Sequence, residues 1–112
     1  MPNWRKIRSE LRQTNSGYVV ALSGGADSMF ALDFVKKSGV VVIAAHFNHH
    51  IRPESDQEQE FVENYCLKNK IACVVGHGSN IKSEADARQQ RYEFLRSVLS
   101  DYKMDKIITV HH

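Results

Sequence analysis

Six consecutive residues, Ser23-Gly24-Gly25-Ala26-Asp27-Ser28, combine the side chains and the freedom of backbone that hold an anion. They follow an apolar run, Tyr18-Val19-Val20-Ala21-Leu22, and open a segment with helical periodicity at Met29, Leu32, Phe34 and Val35. A strand, a glycine turn and a helix N-terminus in that order make a phosphate cradle. The first N–H groups of a helix have no intrahelical acceptor, and the helix dipole adds partial positive charge there. Gly24 and Gly25 let the backbone approach an anion with no Cβ in the way. Ser23 and Ser28 add hydroxyl donors. Asp27 is the odd member, because a carboxylate beside a phosphate repels it unless a cation lies between them. It is a candidate Mg²⁺ ligand, or simply a first-turn or capping residue. No Lys follows the glycines, so this is not the GxxxxGK[ST] loop.

The elements that must position this loop can be read along the chain. Residues 3–14 read as a basic helix with Trp4, Ile7 and Leu11 on one face, a solvated helix with one packed stripe rather than an RNA grip. Residues 1–17 form this N-terminal segment, and residues 18–112 a nucleotide-binding domain. The first strand is residues 18–22, and the first long helix runs from about Asp27 to Lys37. Val40 to Ala45 is a continuous β-branched and alanine run, as in strands buried on both faces. An extended segment, residues 46–53, leaves its carboxyl end. A helix follows from Glu54, with Phe61, Val62, Tyr65 and Cys66 as its apolar face. Ile71–Val75 is the third strand and residues 76–80 a flexible loop. The next helix starts at Ser83-Glu84, with Ala87, Tyr92, Leu95 and Leu99 inward. Lys106–Val110 is the fourth strand.

Strands alternating with helices predict an α/β fold, a doubly wound parallel sheet with helices on both faces. Ligands of such sheets bind beyond the carboxyl ends of the strands, where strand order reverses. The SGGADS loop, the segment His46-Phe47-Asn48-His49-His50-Ile51-Arg52-Pro53 and His111-His112 all exit there. His46, His49 and His50 lack a ligand spacing for zinc. A better reading places the backbone of His46, Phe47 and Asn48 at a base and Arg52 at a phosphate or carboxylate. Glu84, Arg88 and Arg91 share one helix face at i, i+4 and i+7. By itself that spacing reads as a surface salt-bridge stripe.

The bulk composition excludes several classes. With 112 residues the chain is one domain. A net charge of +2 is too weak to argue for nucleic-acid binding. No apolar run is long enough to span a bilayer. Cys66 and Cys73 are not in a CxxC or zinc spacing, and reduced thiols of a cytoplasmic protein are expected.

Three segments together resemble one family. SGGADS is similar to the SGGxDS pyrophosphate loop of the N-type ATP pyrophosphatases. HFNHHIRPES resembles the HxNHxxRxES motif of tRNA(Ile)-lysidine synthetases, and Glu84 to Tyr92 resembles their E-x-x-AR-x-x-RY element. The resemblance implies a Rossmann-like, adenine nucleotide alpha hydrolase-like fold with ATP and Mg²⁺ as cofactors. It implies adenylation of the wobble cytidine-34 of tRNA(Ile), followed by displacement of AMP by free lysine. On that basis Asp27 and Arg88 are expected to be catalytic, Asp27 at the metal. Ser23, Gly24, Gly25, Ala26, Asp27, Ser28, His46, Phe47 and Asn48 are expected to hold ATP, and Arg52, Arg91, His111 and His112 to meet substrate. In the family the fourth strand ends in HHxDDQxET, of which His111-His112 match only the first two positions. The expectation is therefore a fold truncated after the fourth strand: a fragment, a split subunit or a shortened relative, inactive alone. The fourth-strand edge is then expected to pair with a second copy or with a chain carrying the missing part. Another adenylating enzyme, such as a tRNA thiolase, and a non-catalytic nucleotide-binding subunit are the alternatives.

Overall fold

Val19 and Val20 point to opposite faces of their strand, and neither has exposed surface. A strand buried on both sides must lie inside a sheet that helices cover twice. The computed structural model, which describes residues 17–110, has that arrangement. The expected basic helix over residues 3–14, with Trp4, Ile7 and Leu11, and the pair His111-His112 lie outside the described residues.

Strand β1 (Tyr18–Leu22) is followed by helix α1 (Ala26–Lys37), β2 (Val42–Asn48), α2 (Ser55–Lys68), β3 (Ala72–His77), α3 (Glu84–Asp101) and β4 (Lys106–Ile108). All pairings are parallel and the strand order is β3-β2-β1-β4. Tyr18, Val20, Leu22 and Ala44 pack against Ala31, Leu32 and Val35 of α1 and Val62 and Cys66 of α2. Val19, Ile43 and Ala45 pack against Leu95 and Val98 of α3 on the opposite face. Each of the buried valine, leucine and isoleucine side chains among them contributes about 1.5–3 kcal/mol of apolar burial. The chain therefore steps outward from β1 to β2 to β3 on one face, then returns across the other face to β4. The order reverses beside β1, and the crevice that the reversal opens lies at its carboxyl end.

The doubly wound parallel sheet is as expected, but several boundaries move. β2 does not stop at Ala45: His46, Phe47 and Asn48 belong to it, because Phe47 and Asn48 pair with Gly76 and His77. For the same reason Gly76 and His77 are strand, not loop. A Cβ on Gly76 would lie 2.4 Å from a ring carbon of Phe94, so only glycine lets α3 close on this strand. β4 is three residues long, and Thr109 and Val110 have left it. On α2, Val62 and Cys66 face the sheet, while Phe61 is 53% exposed. On α3, Leu95 and Val98 are buried, and Tyr92 stays exposed at the crevice. Both cysteines are free thiols. No helix among the described residues is long and apolar enough to cross a membrane.

Candidate functional site

Leu22 ends β1, and the next two residues turn the chain sharply into α1. Gly24 has φ +86°, the left-handed region in which a side chain is strained. Gly25 caps the helix with φ −78° and ψ 162°, and no side chain caps it. The first intrahelical bond runs from the Met29 N–H to the Gly25 carbonyl. The helix thus supplies no acceptor for the N–H groups ahead of Met29, which face the end of the loop. The serines hold this shape. The Ser28 hydroxyl donates to the Gly25 carbonyl at 3.0 Å and accepts from the Ser23 N–H at 3.1 Å. The Gly25 N–H donates to the Ser23 hydroxyl at 3.2 Å. Ser28 is buried, so its hydroxyl staples the loop and is not a spare donor for an anion.

β2 delivers its residues alternately. His46 and Asn48 point toward α2 and are buried. Nδ1 of His46 lies 2.8 Å from the Leu22 carbonyl, which can only accept, so this nitrogen carries the proton. The contact fixes the last residue of β1 just before the glycine turn. Asn48 donates to Asp56 at 3.0 Å and to Gln59 at 2.8 Å, and its oxygen accepts the His50 N–H at 2.9 Å. Both N–H donors of its amide are spent tying β2 to the start of α2. Phe47 points the other way, with its ring centroid 5.9 Å from that of Phe94. Beyond β2, His50 stacks on His77 of β3 with a nitrogen–nitrogen distance of 2.7 Å. The histidines that could have suggested a metal are thus distributed among separate hydrogen bonds. Among the described residues no group of three or more His, Cys, Asp or Glu is placed to hold an ion.

A cavity of about 420 Å³ lies over the carboxyl ends of β1, β2 and β4, within the usual range for small-molecule sites. It brings together Ser23, Ser28, His46, Phe47, Asn48, Arg52, Arg88 and Arg91. Gly24, Gly25, Ala26 and Asp27 do not line it; they form the turn at its edge. Arg88 and Arg91 enter from the first turns of α3, whose N-cap Ser83 accepts the Asp86 N–H at 3.0 Å. Neither arginine has an ion-pair partner among the described residues. The guanidinium of Arg91 lies 5.3 Å from the ring centre of Tyr92. The stripe is therefore not a self-neutralised surface: two cations face a crevice that Ser23 and Ser28 of the glycine-serine turn also line. Sequence reasoning did not single out Glu58, which lines the same cavity and pairs with Arg52 at 3.0 Å. Its one signal was its place in the first turn of the helix that follows the HFNHHIRPES segment.

His49 gives this region a pH dependence. Its Nδ1 accepts the Ile51 N–H at 3.0 Å and lies 3.3 Å from the Ser55 hydroxyl. A protonated ring cannot accept at that atom. Burial, and then the Arg52 charge, hold the imidazole pKa below its ordinary value of 6.5. The unfolded chain therefore takes up this proton first. The stabilisation is complete above 6.5 and is lost as the pH falls from there through the lowered folded value. Urea midpoints measured on either side of that window should drop on acidification in the parent and drop less in His49→Gln. Equal drops would show that the turn does not depend on neutral His49.

The parallel sheet with its reversal at a glycine-serine turn defines an α/β nucleotide-binding class. A family described as the PP-loop domain matches residues 3–112, and the chain belongs to that family. It is 33% identical over 104 residues to the tRNA(Ile)-lysidine synthase of Streptococcus mutans, covering 89% of this chain and 25% of that protein. It is 36% identical over 98 residues to the tRNA(Ile)-lysidine synthase of Mycoplasmopsis pulmonis, covering 84% of this chain and 34% of that one. The chain thus spans about a quarter to a third of the length of these relatives. The homology to tRNA(Ile)-lysidine synthases implied by the three motifs is borne out. Among solved structures, the U34-tRNA thiolase NcsA of Methanococcus maripaludis superposes with a TM-score of 0.78 at 18% identity, over 96% of this chain and 45% of that one. The NH3-dependent NAD synthetase of Campylobacter jejuni gives 0.68 at 17%, over 99% and 58%. At these identities the likeness is one of fold.

Proposed function

We propose that this chain is the ATP-binding part of an enzyme that joins lysine to the wobble cytidine-34 of tRNA(Ile) through an adenylated tRNA intermediate. The observation that carries the reading is a single cavity lined by Ser23 and Ser28 of the glycine-serine turn and by two arginines that have no ion-pair partner among the described residues. A polyphosphate needs that arrangement: backbone N–H groups at one end of its charge and guanidiniums at the other. Ser23, Gly24 and Gly25 shape the turn, Ser28 holds it, and Arg88 neutralises charge that builds as the bond between the α- and β-phosphates breaks. Arg91 and Arg52 flank the same space, and Phe47 with the β2 backbone borders the adenine end. Mg²⁺, when bound with ATP, supplies further neutralisation, with Asp27 the loop carboxylate assigned to it. The turn fits the phosphates, because the helix N-terminus points N–H groups at its end and no Cβ stands at Gly24; Mg²⁺ would need only one or two carboxylates beside the phosphate oxygens. Positioning and fixed charge are the contributions expected of this chain. tRNA(Ile) and lysine are substrates of the whole enzyme.

One observation disfavours thiolation through a protein thiol. Cys66 and Cys73 line a separate cleft with Glu60 and Glu63, and neither reaches the cavity.

Titration of ATP with Mg²⁺ into the chain, followed by calorimetry, tests the reading. Arg88→Ala is expected to weaken binding about ten- to a hundredfold, the worth of a hydrogen bond to a charged group. Glu93 lies on α3 outside the cavity, and Glu93→Ala should leave affinity unchanged. ATP binding that is indifferent to Arg88 would place the nucleotide elsewhere.

A further inference from the structure

Glu58 is the one charged group in the cavity wall that the nucleotide reading leaves without a task and that already has a partner. Its Oε1 lies 3.0 Å from Nη2 of Arg52. Its Cβ and Cγ lie 3.7 and 3.8 Å from where a Cβ on Gly24 would stand. The methylene stem of Glu58 is therefore packed against the turn whose backbone would receive phosphate, with its carboxylate on Arg52. Left ionised and uncompensated, it repels a triphosphate. The Arg52 guanidinium compensates it, but that ion pair is half in solvent, with 56% and 33% of the two side chains exposed. Pairs of that kind are weak and exchange readily.

We infer that Glu58 is a positioning residue that makes nucleotide binding depend on a divalent cation, by exchanging Arg52 for the cation that accompanies the phosphates. This rests on the nucleotide reading of the same cavity. The exchange conserves charge pairs. Without ligand, Glu58 pairs with Arg52. With a cation-bound triphosphate, Glu58 faces the cation and Arg52 is released to a phosphate oxygen. With a metal-free triphosphate, Arg52 has two competing anions and Glu58 has no second partner. The carboxylate thus acts against the free nucleotide and for its metal complex.

Calorimetry of ATP binding, once with excess Mg²⁺ and once with a chelator, reads this out without turnover. The full 112-residue chain is used. The parent is expected to prefer the Mg²⁺ complex, and Glu58→Gln to shrink that preference about fivefold, mostly by tightening metal-free ATP. Arg52→Ala leaves the carboxylate uncompensated and should widen the preference, which decides the matter if circular dichroism shows that Glu58→Gln does not fold. Glu60→Gln, exposed on the same helix, should leave the ratio unchanged. A Glu58→Gln chain that folds, binds ATP and keeps the parent's ratio overturns the proposal while leaving the nucleotide site in place. If the parent binds ATP in neither condition, the nucleotide reading falls and this inference falls with it.

Discussion

Gly24→Val is expected to abolish measurable ATP binding at concentrations that saturate the parent, and to lower the melting temperature. The backbone at Gly24 has φ +86°, where a Cβ collides with its own chain. The strain is about 1–2 kcal/mol for an ordinary residue, and a β-branched one fares worse. The added branches would also press on Glu58, whose Cβ is already within 3.7 Å of the Cβ position. The chain can relieve this only by opening the turn, which removes the N–H groups from the edge of the cavity. Gly25 is the internal control. Its φ of −78° and ψ of 162° suit any residue, and a Cβ there would rest 3.4 Å from the Ser23 hydroxyl. Gly25→Ala should therefore keep the parent's melting temperature, so that any loss of ATP binding reports obstruction of the anion and not strain. A Gly24→Val chain as stable as the parent would show that the turn is held by something other than glycine's freedom.

Much of this turn was legible in the sequence because its physics is local. A strand, two glycines and a helix start within a dozen residues, and their order alone dictates the cradle. The four strands and three helices described were legible for a related reason: continuous β-branched runs and helical periodicity report burial directly. The boundaries were less so, because they depend on distant partners. Nothing near Phe47 and Asn48 says that they are strand; Gly76 and His77 pair with them across the sheet. Periodicity likewise marked Phe61, Val62, Tyr65 and Cys66 as one stripe, but the width of the stripe exceeds what the sheet covers.

The site was legible in types more than in roles. The reading at Asn48 concerned its backbone; that its side-chain amide ties β2 to Asp56, Gln59 and His50 depends on partners that its own strand does not reveal. Spacing alone made Glu84, Arg88 and Arg91 a salt-bridge stripe, and only the family resemblance pointed inward; among the described residues neither arginine has an ion pair, and both line the cavity. Glu58 was invisible, since glutamate in the first turn of a helix is ordinary dipole chemistry. Its significance comes from Gly24, a residue distant in sequence that the pairing of β1 with β2 places beside it.

Leu95→Ala should have the largest effect on stability and a second effect on the site. Leu95 is 1% exposed, packs with Val19, Ile43 and Ala45, and also lines the cavity. Truncating a buried leucine removes its transfer energy and leaves a void, typically about 2–5 kcal/mol. Against a total stability of about 5–15 kcal/mol, that is a large share. Here the void would join the cavity, so water can enter, which places the expected loss nearer about 3 kcal/mol. The enlarged crevice would also let the first turns of α3 settle, moving Arg88 from its place opposite the glycine turn. Val98→Ala isolates the first effect, because Val98 is 2% exposed on the same helix but does not reach the cavity. Urea unfolding should show both variants destabilised, and calorimetry should show weakened ATP binding in Leu95→Ala alone. A Leu95→Ala loss below about 1 kcal/mol would mean that α3 is not docked on this face of the sheet, and the arginines it carries could not then be held over the ends of β1 and β4.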